Sequence, residues 1–358
     1  MARPAKARVF AGALLNNVGV ARGHAPNSRL LACVKADGYG HGITSVARII
    51  EDSVDGFAVA SIEEAEAIRD SGLKKPVLLL EGPQSADELT LAAERSYIPC
   101  INEAHQLQWL ESSGRSFPAL WFKIDTGMHR LGFEPGQAAE VVRRLQPLAE
   151  RGNLVACTHF ACADEPGDNG CDRQLRRFDD AVGGLPAEQS CANSAAIMSL
   201  PASHRHWIRP GYMLYGGSPF ANRSAPSLNL LSAMELSAEV ISVRNVARGD
   251  AVGYGGRWVA QRDSRIATVA IGYGDGYPRH AVDGTPVFVE GERCYLAGRV
   301  SMDMITVDVT DQPATRIGSA VTLWGEQLPI DEVAHYADTI GYELLAAMPP
   351  RVSRETVT

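Results

Sequence analysis

Residues 30–42 read LLACVKADGYGHG, a run of small and branched apolar residues closed by Lys35. An ammonium group costs several kcal/mol to leave in an apolar interior, so a lysine that closes such a run either snorkels to water or does chemistry. Polar residues stand in the same relation to later apolar runs. Tyr39 follows the first, Arg130 lies beyond ALWFKI, His159 ends LVACTH, Asn193 and Ser194 end SCANS, and Arg209 ends HWIR. Taken singly, each has a structural explanation: Lys35 can snorkel, His159 can be a hydrogen-bonded core histidine, Ser194 can cap the helix that AAIMSL suggests, and Arg209 can be a surface charge. Those explanations leave untouched the shared position of all of them at the ends of successive runs.

The elements that must position these residues follow from periodicity. From residue 29 to about 216, a short apolar run, a polar loop and a helix-period segment alternate, the pattern of βα units. The runs RLLACV, GFAVA, VLLL, YIPCI, ALWFKI, LVACTH, SCAN and HWIR make eight expected strands. Between them, ITSVARII puts Ile43, Val46, Ala47 and Ile50 on one helical face, and Ser61 with Glu64 forms a capping box directly after GFAVA. Eight parallel strands alternating with helices predict an α/β fold, a closed (β/α)8 TIM-type barrel whose active site sits at the C-terminal strand ends. Near residue 228 the texture changes: MELSAEVISVRNVARGDAVGYGG, RIATVAIGYGDGY and MITVDVTD alternate apolar residues between glycine-rich turns. The expected organisation is a cofactor-binding barrel over 1–228 and a mainly β C-terminal domain over 229–358, with one or two helices in IDEVAHYADTIGYELLAAM.

After the eighth strand comes RPGYMLYGG, where Gly211 lets the backbone approach a ligand and a short helix follows. Phosphate often sits at this place in barrels, on backbone N–H groups and the positive end of the helix dipole, and Ser194 could donate to the same phosphate. DGYGHG is glycine-rich too but lacks Rossmann or P-loop spacing. A lysine and a phosphate site in one barrel mouth point to pyridoxal phosphate, held as an imine on Lys35.

The totals bound the partners. The 34 Lys and Arg against 42 Asp and Glu leave a net charge of −8, which argues for a small-molecule substrate and against nucleic acid or an anionic membrane. The basic start, MARPAKARVFAGALLNN, is interrupted by Gly12, Asn16 and Asn17, so it makes a poor signal peptide, and a cytoplasmic location is expected. Seven scattered cysteines show no CxxC pair and no zinc spacing, so reduced, mostly buried thiols are expected and no metal is assigned.

Together VKADGYGHG, KIDTGMHRLGF, THFACADE, CANSAA, IRPGYMLYG, VGYGGRW, IGYGDGYPR and GRVSMDM, in this order over residues 34–304, resemble bacterial alanine racemases. The resemblance implies a barrel with a β domain, working as a homodimer whose active sites are completed by the partner's β domain. It implies interconversion of L- and D-alanine, for peptidoglycan or for alanine catabolism, by two bases: Lys35, which also carries the cofactor, and Tyr254 of the partner. Bases on both faces suit a reaction that removes a proton from one side and returns one to the other. Arg209 is expected at the pyridine nitrogen, where a permanently charged guanidinium leaves that nitrogen neutral and side reactions disfavoured. His159 is expected to hydrogen-bond Arg209. Tyr39, Asn193, Ser194, Gly211 and Tyr212 match cofactor-binding positions, Arg130 and the partner's Met302 match substrate-carboxylate positions, and Tyr273 matches an entrance residue.

In WFKID, strand alternation puts Trp121, Lys123 and Asp125 on one face, and a barrel-lining Lys123 approaches Arg130 with like charge. Either Lys123 pairs with Asp125 or, as in many relatives, it carries a CO2-derived carbamate. Three positions depart from the family pattern: Pro350 where some relatives place a phosphate-contacting tyrosine, His129 where a small or amide residue is usual, and Ser301 where cysteine is frequent. The alternatives are a broader-specificity amino-acid racemase acting also on serine and a pyridoxal-dependent amino-acid decarboxylase of the same architecture. Tyr254 in VGYGG and the arginine at the pyridine position favour the racemase.

Overall fold

The computed structural model describes residues 4–165 and 169–358. After β1 (Lys6–Phe10) and the helix α1 (Ala11–His24), eight strands close a barrel in chain order. They are β2 (Arg29–Cys33), β3 (Gly56–Val59), β4 (Val77–Leu79), β5 (Ile98–Ile101), β6 (Leu120–Lys123), β7 (Leu154–Cys157), β8 (Glu188–Ser190) and β9 (Trp207–Ile208). Neighbours are parallel throughout, and β9 returns to β2 through Arg29 opposite Trp207. Between the strands lie α2 (Lys35–Tyr39), α3 (Ile43–Ile50), α4 (Ile62–Asp70), α5 (Ala86–Glu94), α6 (Ala104–Ser113), α7 (Ala138–Leu145), α8 (Gly170–Val182) and α9 (Ser194–Ser199). The helical face expected in ITSVARII is the buried face of α3, and Ser61 with Glu64 does cap α4.

Eight strands stand where eight were expected, with the seventh displaced to Glu188–Ser190. Residues 191–193 leave the ladder because the Asn193 side chain accepts the Ala196 N–H at 3.1 Å and begins α9. Leu31, Cys33, Ala58, Leu78, Cys100, Trp121, Val155 and Cys157 fill the barrel. Most of them are small or β-branched, so Trp121 can occupy the axis.

The C-terminal segment adds β10 (Met234–Val246), β11 (Ala251–Val252), β12 (Trp258–Val259), β13 (Ser264–Val269), β14 (Pro286–Val289), β15 (Glu292–Leu296), β16 (Ile305–Asp308), β17 (Ala320–Trp324), the helices α10 (Ile330–Tyr336) and α11 (Gly341–Ala346), and β18 (Ser353–Val357). The eight-stranded sheet runs β13-β16-β15-β14-β17-β10-β1-β18, and β10 also pairs with β13, which curls the sheet back on itself. Placing the barrel from residue 1 misassigns the first strand. Residues 1–3 lie outside the described residues, and β1 pairs antiparallel with β10 and parallel with β18. Its alternation explains the placement, because Ala7 and Val9 are buried in the sheet while Lys6 and Arg8 face outward to Glu355 and Glu235. No helix among the described residues is long and apolar enough to cross a membrane.

Candidate active site

Lys35 opens a left-handed turn. The strand ends at Cys33, and Ala36, Asp37, Gly38 and Tyr39 have φ of 53°, 52°, 62° and 49°. Gly38 N–H donates to Val34 O at 2.8 Å and Gly40 N–H to Ala36 O at 2.9 Å, the bonds of a helical turn of the wrong hand. L-residues lose roughly 1–2 kcal/mol each in this region, so the surroundings must hold it. Glu64 Oε1 accepts the Ala36 N–H at 2.6 Å, and Asp37 Oδ1 accepts that of Ile43 at 2.8 Å. Arg354, from β18, donates to Gly40 O at 2.7 Å and pairs with Asp37 Oδ2 at 3.1 Å. The turn carries Tyr39 onto Tyr215, the rings stacking at 4.6 Å.

The chain leaves β9 through Arg209, Pro210 and Gly211 into a single 3-10 turn, Tyr212–Tyr215. Ser194 Oγ accepts the Gly211 N–H at 2.9 Å and the Met213 N–H at 3.4 Å, which leaves its own proton for an anion. The buried Tyr212 N–H has no acceptor among the described hydrogen bonds. A Cβ on Gly211 would stand 2.7 Å from the Tyr39 hydroxyl. Two hydroxyls and an unclaimed N–H therefore surround a position kept open by the absence of a side chain, the donor set a phosphate ester needs. Since Asn193 caps α9, Ser194 is not the cap that AAIMSL suggested.

Above the barrel core the charges are mostly positive. Arg209 is 6% exposed and donates to Ser190 Oγ at 2.5 Å, Thr158 O at 2.6 Å and Cys191 O at 3.3 Å. None of its described bonds reaches the His159 ring, which corrects the expected pair. The guanidinium N–H groups are taken up instead by the Ser190 hydroxyl at the end of β8 and by the Thr158 and Cys191 carbonyls just beyond β7 and β8. Burial, then Arg209, Lys123, Arg130 and Lys35, push His159 down to about 3, so the imidazole is neutral near pH 7. These four cations lie within electrostatic reach of one histidine, whereas sequence only aligned them along the chain.

Lys123 stands one position above the core on β6, opposite Cys157, and burial lowers its pKa, with Arg130 and Arg209 adding to the effect. It has no carboxylate partner among the described residues. Asp125 is committed elsewhere, one oxygen accepting the N–H groups of Gly127, Met128 and His129 at 3.0–3.1 Å and the other meeting His129 Nδ1 at 3.0 Å. The alternative that pairs Lys123 with Asp125 is therefore contradicted. The same carboxylate shapes the loop that carries Arg130. His129 sits there at φ 55°, the conformation that makes glycine or asparagine the usual choice. Below, the Cys100 and Cys157 sulfurs approach to 3.7 Å.

The expected residues of the β domain are exposed: Tyr254 at 68%, Met302 at 54% and Tyr273 at 41%. Tyr254 follows Gly253 in the link between β11 and β12. The Met302 carbonyl accepts the Gly274 N–H at 2.8 Å, while its own N–H has no described acceptor.

Residues 10–219 match the family model of the alanine racemase N-terminal domain, and residues 233–356 match that of the C-terminal domain. The chain belongs to the alanine racemase family. An alanine racemase of Thioalkalivibrio sulfidiphilus is 48% identical over 360 residues, covering all of both chains. The crystal structure of the biosynthetic alanine racemase from Pseudomonas aeruginosa superposes with a TM-score of 0.96 at 44% identity, over 99% of this chain and 100% of that one. A structure of the alanine racemase from Bartonella henselae, with covalently bound pyridoxal phosphate, superposes at 0.89 with 27% identity over 99% of each chain.

Several residues at this racemase-family site were not legible in sequence. Thr158 and Ser190, which hold Arg209, read there as ordinary strand-end residues, and their only signal is inward alternation. Gln174 from α8 ties the loop after β7 by donating to His159 O and Thr126 Oγ1 and accepting from Ala161 N. Tyr342 in GYELL comes from α11, stacks on Tyr212 at 3.8 Å and lies 6.4 Å from Tyr39. Pro350, where some relatives place a tyrosine, is exposed, and Tyr342 stands beside Tyr212 and Tyr39.

Proposed function

We propose that this chain interconverts L- and D-alanine with pyridoxal phosphate attached at Lys35. The observation that carries the reading is the cradle of Tyr39, Ser194, Gly211 and Tyr212, to which the lysine turn itself contributes Tyr39. These residues would hold the phosphate, and Lys35 Nζ would hold the aldehyde carbon. When bound, the group withdraws electrons from the substrate's α-carbon and so acidifies its hydrogen. Lys35 Nζ moves a proton on one face of that carbon, and Tyr254 Oη of a second copy moves one on the other. Arg209, fixed by Thr158 and Ser190, presents a charge that cannot be given up. It therefore disfavours a protonated pyridine nitrogen. His159, held neutral, adds no further positive charge. Arg130 and the Met302 N–H of the second copy orient the substrate carboxylate.

Exposure supports the use of a second copy. Tyr254, Tyr273, Met302 and Met304 are exposed in one chain, and backbone bonds from Tyr273 to Ser301 and from Gly274 to Met302 bring Tyr273 and Met302 together, as residues available to a second copy. Lys123 is read as a carbamate site, because burial favours the neutral amine that adds to CO2. The added carboxylate would face Arg130 where Asp125 does not.

The test follows visible absorbance of the protein with added pyridoxal phosphate, then converts D-alanine under a chiral assay, with Lys35→Ala and Tyr254→Phe alongside. A band lost in Lys35→Ala and L-alanine formed only by the parent support the reading. A protein that stays colourless with added cofactor overturns it, and a coloured protein inert toward alanine overturns the substrate.

A further inference from the structure

Tyr212 has two ends. Its backbone N–H borders the cradle, while its side chain is almost wholly buried and runs away from it into the C-terminal segment. The hydroxyl donates to Asp331 Oδ1 at 2.5 Å, and Asp331 Oδ2 accepts the Ser218 N–H at 3.0 Å. One carboxylate from the first turn of α10 thus holds both ends of the 212–218 loop that leaves the barrel. The fit leaves no slack. A Cβ on Gly217 would fall 2.0 Å from the Tyr212 ring, a Cβ on Gly341 would fall 1.8 Å from its hydroxyl, and Tyr342 covers the ring at 3.8 Å. A buried phenol needs an acceptor, and Asp331 is the one described.

We infer that Asp331 is a positioning residue for cofactor phosphate, fixing through Tyr212 and Ser218 the loop that presents the Tyr212 N–H beside Gly211 and Ser194. The inference rests on the cradle reading above and adds to it a residue 119 positions away in sequence. It also gives the C-terminal segment a task within its own subunit. Bonds to ionised groups are the stronger class, and a freed buried hydroxyl would pull the loop toward a new partner.

The full-length chain is titrated with pyridoxal phosphate, following absorbance and the phosphorus NMR signal of the bound phosphate, for the parent, Asp331→Ala, Asp331→Asn, Tyr212→Phe and the double variant Tyr212→Phe/Asp331→Ala. Asp331→Ala is expected to weaken binding roughly tenfold or more and to shift the phosphorus signal. Asp331→Asn, which keeps an oxygen for the Tyr212 hydroxyl, loses less. The double variant binds no more weakly than Asp331→Ala, because both changes break one bond. KM for alanine stays within about twofold, since Asp331 does not touch substrate.

Affinity and phosphorus signal unchanged in a folded Asp331→Ala overturn the inference, as do strictly additive effects in the double variant. A lower melting temperature with unaltered affinity marks a merely structural role and overturns it too. Where Asp331→Ala does not fold, Tyr212→Phe and Asp331→Asn carry the test, and parental affinity in both refutes it. If the parent takes up no pyridoxal phosphate, the cradle reading fails and the inference with it. Parental binding with indifferent variants removes only Asp331.

Discussion

Replacing Gly211 with alanine tests the cradle most directly. The added Cβ would sit 2.7 Å from the Tyr39 hydroxyl and 3.4 Å from its ring carbon Cζ. The clash cannot be relieved cheaply, because the Tyr39 ring is stacked on Tyr215 and its backbone belongs to the left-handed turn that starts at Lys35. The hydroxyl must leave the cradle, which forfeits a bond to an ionised group worth about 1.5–3 kcal/mol. Overpacking costs the fold about 1–3 kcal/mol whether or not the cofactor is bound. The lost bond alone, at the lower end of its range, raises the dissociation constant of pyridoxal phosphate roughly tenfold. Titration by absorbance reads it, with Gly12→Ala as control, since a Cβ there meets nothing within 4 Å. Adding Tyr39→Phe removes the obstructing oxygen, so the double variant should bind about as well as Tyr39→Phe alone. Binding within about twofold of the parent for Gly211→Ala, or a double variant weaker than both singles, would refute the geometry.

Three further outcomes follow from the same contacts. His159 and His41 are pushed down to about 3 and about 4, chiefly by burial, from an ordinary 6.5. Below pH 6.5 the unfolded chain takes up protons that the fold refuses, so the stability they contribute is complete above that pH and drains as pH falls toward 4. Urea titrations between pH 6 and 5 should show up to about 1.4 kcal/mol lost per pH unit for each histidine. The slope should flatten in His159→Gln, and an unchanged slope counts against the assignment. With 13C-labelled bicarbonate, a carbamate carbon signal should appear in the parent and vanish in Lys123→Arg; its absence from the parent ends the carbamate reading. Glu64→Ala removes the acceptor of the Ala36, Ala60 and Ser61 N–H groups. It should cost roughly 1–3 kcal/mol by urea denaturation and loosen cofactor binding, whereas an effect on stability alone would detach Glu64 from the lysine turn.

Some of this protein is settled locally. Eight apolar runs, each of strand length and each followed by a helix-period segment, have one economical closure, and polar residues at their ends must then meet at one mouth. Lys35, Arg209 and the glycine after Pro210 were legible for that reason, as was the capping box at Ser61, whose two bonds lie within four residues. The partners of those residues lie far away in the chain and carry no local signature. Alternation shows that Ser190 points inward but not that Arg209 prefers it to His159. A carboxylate two residues after Lys123 reads as its counter-charge until the turn above it is seen to use both oxygens. The strand at Lys6–Phe10 was hidden by adjacency, since residues next to a barrel helix in sequence are paired with strands more than 200 positions later. Asp331 and Tyr342 are the clearest case. Periodicity predicts the helices that carry them, but which part of the barrel a helix covers depends on how the barrel and the C-terminal segment pack, including the fit of Gly217 and Gly341 around one tyrosine ring.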